Sequence, residues 1–238
     1  MQREYHSWFS PILRRQMELL VFGHGGAPLI VFPTSMGRFY DYENRGMIGA
    51  IYSRYANGEL HAFCVDSVDR ESWYDKDIPP AARAERQLEY DAYLREEVLP
   101  FIAGRNPAQR VSVTGCSFGG YHSANFAFRH PELIDSLISF GGAFNIRRFL
   151  EGYFDDNCYF NNPPDFLPNI GDNTLLNEIR RLRIVLATGE TDICLDENRR
   201  LSEILAYKGI PHVLDVWGDG AGHDWQWWER MAVKFFGK

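Results

Sequence analysis

The chain has 238 residues, 45% of them hydrophobic, which predicts a single domain, 1–238, around one large core with no room for a second. Its net charge of −7 argues against nucleic acid or an anionic membrane surface as partner, since both are bound through clustered lysine and arginine. No apolar run reaches the length of a spanning helix, and Met1 to Trp8 lacks the apolar stretch of a signal peptide, so cytoplasm is the expected compartment and small molecules the expected partners.

Strand-like runs are predicted in chain order at about 3–9, 17–23, 28–33, 60–66, 110–116, 135–141, 183–189 and 211–217. Gly23 to Ala27 reads as a hairpin turn between the second and third of these, which argues against His24-Gly25-Gly26 as an oxyanion-hole element. The third strand leaves through Pro33-Thr34-Ser35-Met36-Gly37 towards a helix near Tyr42. A long helix follows from Ala81 to Ala103, opened by Pro79 and Pro80, with its Glu and Arg pattern reading as a solvated face. Another helix begins near Phe118, and one more is predicted over Glu197 to Lys208. The early strands should be antiparallel and the later, helix-separated ones parallel, giving an α/β domain with a mostly parallel central sheet and helices on both faces.

Gly115-Cys116-Ser117-Phe118-Gly119-Gly120 follows the apolar run Val111-Ser112-Val113-Thr114 and reads as a strand driven into a sharp turn. Such a bend exposes a serine hydroxyl, itself a poor nucleophile, to a base and to oxyanion donors, and glycines let the backbone take the strained conformation. Ser117 is the candidate nucleophile. Asp192, at the exit of the strand ending in Gly189, is the candidate acid; Asp196 and Glu190 compete, Asp196 being well placed to cap the following helix. His223, delivered by the loop Gly218 to Gly222 after the last strand, is the candidate base, and Ser, Asp, His is the chain order of an α/β-hydrolase triad. Two backbone amides are needed for an oxyanion hole. One is expected from Phe118 and the other from Ser35, with Thr34 and Met36 as alternatives and Pro33 unable to donate.

The other histidines are expected elsewhere: His6 and His61 on the surface beside strands, His122 packed on its helix, His130 capping that helix, and His212 at the wrong end of its strand. Cys64, Cys116, Cys158 and Cys194 show no zinc spacing, and no metal or cofactor is expected. Phe144 to Leu182, rich in aromatics, prolines and asparagines, reads either as a cover over the site, with Phe154 and Phe160 lining a pocket, or as a second small core. Trp73 and Tyr74 are expected on the same rim, whereas Trp225, Trp227 and Trp228 suit helix-to-sheet packing.

Taken together, Gly115 to Tyr121, the Gly-Glu-Thr-Asp run ending in Asp192, Gly222-His223-Asp224-Trp225 and the segment Val65-Asp66 through Trp73-Tyr74 resemble the esterase D-like, or putative esterase, family of α/β-hydrolases. The resemblance spans nearly the whole chain. It implies a serine carboxylesterase acting on small carboxylic or thio esters through an acyl-enzyme, with Ser117, Asp192 and His223 as triad. An acyltransferase using the same intermediate, and a non-catalytic protein of the same fold, are the alternatives. Family members often carry His-Gly where this chain has Pro33-Thr34.

Overall fold

The computed structural model describes residues 2–237. Eight strands, β1 (Arg3–Ser10), β2 (Arg15–Phe22), β3 (Ala27–Phe32), β4 (Leu60–Val65), β5 (Val111–Cys116), β6 (Ile134–Phe140), β7 (Arg183–Gly189) and β8 (Val213–Trp217), pair in the order β1-β2-β4-β3-β5-β6-β7-β8. β3 to β8 run parallel, while β1–β2 and β2–β4 are antiparallel. The main helices are α1 (Pro80–Tyr93), α2 (Phe118–Arg129), α3 (Asn173–Arg181), α4 (Leu195–Tyr207) and α5 (Trp225–Phe236).

Consecutive residues of an inner strand point to opposite faces, so a strand covered on both sides must be apolar throughout. β2 shows this: Leu19 and Val21 enter one core with residues of α1 to α4, while Leu20 and Phe22 enter the other, beneath α5 and the short helices between residues 41 and 56. Each face is sealed by helices, and the sheet is that of an α/β-hydrolase.

The link Gly23 to Ala27 is not a hairpin. β4 lies between β2 and β3, pairing Leu19 with Val65 on one side and Ala27 with Leu60 on the other. Gly23 and Gly26 have φ of +92° and +86°, and a Cβ on Gly26 would lie 2.2 Å from the Glu59 carbonyl carbon, so the glycines make room for the incoming backbone of β4. His61, expected at the surface, is consequently buried in β4, where its ring meets Phe63 at 4.5 Å and burial lowers its pKa.

The expected long helix runs on from α1 through a π-helical turn, Leu94–Val98, to Leu99–Ala103. Its charged pattern is not wholly solvated: Arg83 is buried, donating to the carbonyls of Ile78 and Phe149 and pairing with Glu151. Residues 144–182 divide between two cores. Phe144, Phe166, Leu176 and Ile179 belong to the main one, whereas Ile146, Phe149, Leu150 and Cys158 join Trp73, Phe118 and Tyr121 in a small cluster around the start of α2.

β3 sits where the strand order reverses, with β4 on one side and β5 on the other. Ligands of open α/β sheets bind at the carboxyl ends of strands flanking such a point. The loops leaving β3 and β5 start side by side there, with Phe32 in register with Gly115.

Candidate active site

The turn between β5 and α2 places Ser117 at φ 55°, ψ −120°, a conformation costly for a residue with a Cβ. The glycines around it are required by contact. A Cβ on Gly115 would lie 2.2 Å from the carbonyl carbon of Gly119, and one on Gly119 would lie 2.6 Å and 2.7 Å from the carbonyl oxygens of Phe32 and Pro33. The elbow is thus pressed against the loop leaving β3.

Ser117 Oγ lies 2.9 Å from His223 Nε2, and His223 Nδ1 lies 2.8 Å from Asp192 Oδ1. An ionised carboxylate can only accept, so Nδ1 carries the proton and Nε2 is left to accept from the serine hydroxyl. Asp192 is buried, and its Oδ1 also accepts the Cys194 amide at 2.7 Å, which fixes the carboxylate at the start of α4. The two loops are laced together: the Glu190 amide donates to the Trp217 carbonyl, the Thr191 amide to that of Ala221, and the Gly220 amide to the Glu190 carboxylate. Trp228 closes the back of the pair, its ring 4.8 Å from that of His223, and Gly141, at φ 55°, lies beneath. A Cβ there would be 2.5 Å from Asp192 Oδ2.

The competing acids have other partners. The Asp196 side chain is 96% exposed in the first turn of α4, near Arg199, and does not cap that helix; Cys194 occupies the capping position. Glu190 holds the histidine loop by its backbone.

In the loop leaving β3, the Met36 amide donates to Asp69 Oδ2 at 2.9 Å and is therefore committed. The amides of Thr34, Ser35 and Phe118 have no protein acceptor among the described residues, so Ser35 and Phe118 are free to face an oxyanion and Thr34 remains an alternative to Ser35. Asp69 in turn accepts from His122 Nε2 at 2.8 Å, and the His122 ring packs edge-on against Phe118 at 5.0 Å. Sequence reasoning placed His122 on its helix without seeing this link, which joins residues 53 positions apart.

The expected pocket residues scatter. Trp73 is fully buried, its Nε1 donating to the Tyr121 hydroxyl at 3.1 Å, and so it does not line a rim. Tyr74 does lie beside the oxyanion loop: its hydroxyl donates to Ser35 Oγ at 2.8 Å and its ring stands edge-on to Phe118. Phe154 is exposed, stacked beneath the Arg147 guanidinium. Phe160 lines a cleft of about 580 Å³ with Phe128, His130, Tyr159 and Phe166 at the C-terminal end of α2. At ~1.5 Å per residue that is nearly a helix length from Ser117, so this cleft does not serve the serine.

Among the described residues, Asp192, Cys194 and His223 are the one group whose ligand atoms, all within 4.8 Å of one another, could meet a metal ion. Burial pushes the Cys194 thiol up to about 12, which keeps it protonated, and the carboxylate and imidazole already satisfy each other, so the donor set fits a triad better than a metal. Burial likewise raises the thiols of Cys64 and Cys116 well above the usual range, and Cys116 turns away from the elbow to the Tyr42 hydroxyl. Among the described residues no helix is long and apolar enough to cross a membrane.

A family model described as "Putative esterase" matches residues 15–234. An acetyl esterase of Caldicellulosiruptor saccharolyticus is 23% identical over 172 residues, 64% of this chain and 64% of that protein, so the alignment spans under two thirds of the curated relative's length. A ferulic acid esterase superposes with a TM-score of 0.78 at 17% identity, over 98% of this chain and 95% of its own. An S-formylglutathione hydrolase from Agrobacterium tumefaciens does so with a TM-score of 0.75 at 15% identity, over 99% and 93%. At such identities the likeness establishes the fold.

Proposed function

Since the chain belongs to the putative esterase family, we propose that it is a serine carboxylesterase hydrolysing small carboxylic or thio esters through an acyl-enzyme. The observation that carries this reading is the unbroken line from Ser117 Oγ to His223 at 2.9 Å and from His223 to Asp192 at 2.8 Å, on a strained elbow.

In this scheme His223 Nε2 takes the hydroxyl proton as Ser117 Oγ attacks the carbonyl carbon. The amides of Phe118 and Ser35 face the oxygen as it becomes negative, and Asp192 stabilises the imidazolium. Collapse breaks the bond to the leaving alcohol or thiol, which receives the proton from His223. Water then attacks the acyl carbon as it gives a proton to the same nitrogen, and collapse breaks the bond to Ser117 Oγ, which takes that proton back from His223 as the acid leaves. The whole chain acts as one domain, 144–182 contributing the aromatic wall beside the elbow through Phe149, which packs 5.6 Å from Phe118. The substrate is a small molecule, and the four buried free thiols suit a reducing, cytoplasmic setting.

Reaction with a fluorophosphonate probe, together with hydrolysis of p-nitrophenyl acetate, tests the scheme. Wild type should be labelled at Ser117, and Ser117→Ala should lose both labelling and turnover, the latter by about 1,000-fold or more. A folded Ser117→Ala variant retaining turnover overturns it. Added alcohol separates hydrolysis from acyl transfer, since a transferase would yield the new ester in place of the free acid.

A further inference from the structure

Arg147 and Arg148 are sequence neighbours with opposite situations. Arg147 is held by Asp165 through a bidentate pair, at 2.8 Å and 3.1 Å. Arg148 makes no ion pair among the described residues, although the chain carries a net charge of −7. Its guanidinium lies over the ring of Phe149, 4.8 Å from the centroid, and offers one long contact, 3.5 Å, to the Tyr74 hydroxyl. A guanidinium has five N–H donors, so nearly all of its capacity is unspent.

Its surroundings lead straight to the reacting centre. The same Tyr74 hydroxyl donates to Ser35 Oγ on the oxyanion loop, and the rings of Tyr74 and Phe149 both pack on Phe118, the residue after the nucleophile, at 5.3 Å and 5.6 Å. The backbone that presents Arg148 is fixed: the Phe149 carbonyl accepts from buried Arg83 at 2.8 Å, and the Ile146 amide donates to Asn162 Oδ1 at 3.0 Å. A cation thus stands over an apolar floor of Tyr74 and Phe149, the two rings that pack on Phe118 beside Ser117.

Building on the esterase reading, we propose that Arg148 is an anion subsite and that the preferred substrates are esters carrying a carboxylate, or another anionic group, a short apolar spacer away from the scissile carbonyl. The anion could sit on the acyl side or on the leaving alcohol, and paired substrates distinguish the two: p-nitrophenyl hemisuccinate against p-nitrophenyl acetate, and 4-acetoxybenzoate against phenyl acetate.

For at least one pair, the ratio of kcat/KM for the anionic ester to that for its neutral partner should fall about 10- to 100-fold in Arg148→Ala, the range set by removing a hydrogen-bonded charge partner. The fall should be smaller in Arg148→Lys and absent in Arg147→Ala. Ratios unchanged in Arg148→Ala for both pairs overturn the proposal. A readout without turnover separates this from the esterase reading. Calorimetric titration of monomethyl succinate and of 4-acetoxybenzoate into Ser117→Ala should give, for at least one of the two, at least tenfold tighter binding than into Ser117→Ala/Arg148→Ala. Equal affinities for both ligands would overturn the subsite even if every ester is hydrolysed, and a difference for either would uphold it even if none is.

Discussion

The Asp69 carboxylate, itself buried, ties together two segments on opposite sides of the elbow: one oxygen accepts from His122 on α2, the other from the Met36 amide in the loop leaving β3. Met36 is at φ 53°, so this loop holds a strained residue in place through a single charge-assisted bond. Asp69→Ala would leave the Met36 amide and His122 without that acceptor at a cost of ~1–3 kcal/mol. The expected effect falls on kcat, lowered about tenfold or more with KM little changed, because the loop faces charge only as it develops. Asp69→Asn keeps one acceptor oxygen and should fall between the two. Steady-state kinetics on p-nitrophenyl acetate would check this ordering.

Asp192→Asn should cost about 1,000-fold or more in kcat, since an amide in that position favours the wrong imidazole tautomer. Asp196→Asn should remain within about twofold of wild type, because its side chain is 96% exposed and its ion pair with Arg199 is of the weak surface kind. Kinetics of the two folded variants decide between the acids, and a larger loss in Asp196→Asn would reassign the role.

Gly141 and Gly152 both lie in the left-handed region, at φ 55° and 89°, but only Gly141 has neighbours where a side chain would go. Alanine should cost each position ~1–2 kcal/mol in backbone strain, visible in denaturant midpoints. Gly141→Ala should in addition push the Asp192 carboxylate from His223 and lower kcat by at least about tenfold. Equal activity in the two variants would mean that the acid tolerates displacement.

Asp91, buried in α1, is reached by His130, Arg129 and Arg95. Burial pushes its carboxyl up, but the hydrogen bond from His130 and the nearby positive charges outweigh it and hold the group below the usual range. A depressed folded-state pKa adds stability that is present above the unfolded value near ~3.9 and lost as pH falls towards the folded one. Asp91→Asn should therefore lower the urea midpoint at pH 7 and do so much less at pH 3. A constant difference across that range would show that the charge is not what matters.

All eight strands were legible in the sequence because each is an apolar or alternating run bounded by turn residues, which is a local signal. The elbow was legible for the same reason, and the order of Ser117, Asp192 and His223 placed each at the end of its own strand. What escaped depends on partners distant in the chain. Nothing near Gly23 announces that β4 will enter between β2 and β3. Trp73 and Arg83 look like rim and surface residues until Tyr121 and the Phe149 carbonyl are seen to satisfy their polar atoms. Asp69 and His122 find each other only in the folded protein. Phe160 sits in an aromatic stretch as expected, but the chain direction through 144–182 carries it away from the serine.

β8 is the outermost strand of the sheet on its side, shorter than β7 and without a fully buried residue, yet the loop it feeds bears His223. Regions with few buried contacts open at lower free energy than the whole protein. The base therefore hangs from an element that can detach while β3, β5 and β6 stay assembled, and loss of function need not wait for loss of the fold. In rising urea, fluorophosphonate reactivity should disappear before the helical circular dichroism does, and a variant that tightens the β7–β8 ladder should bring the two transitions together.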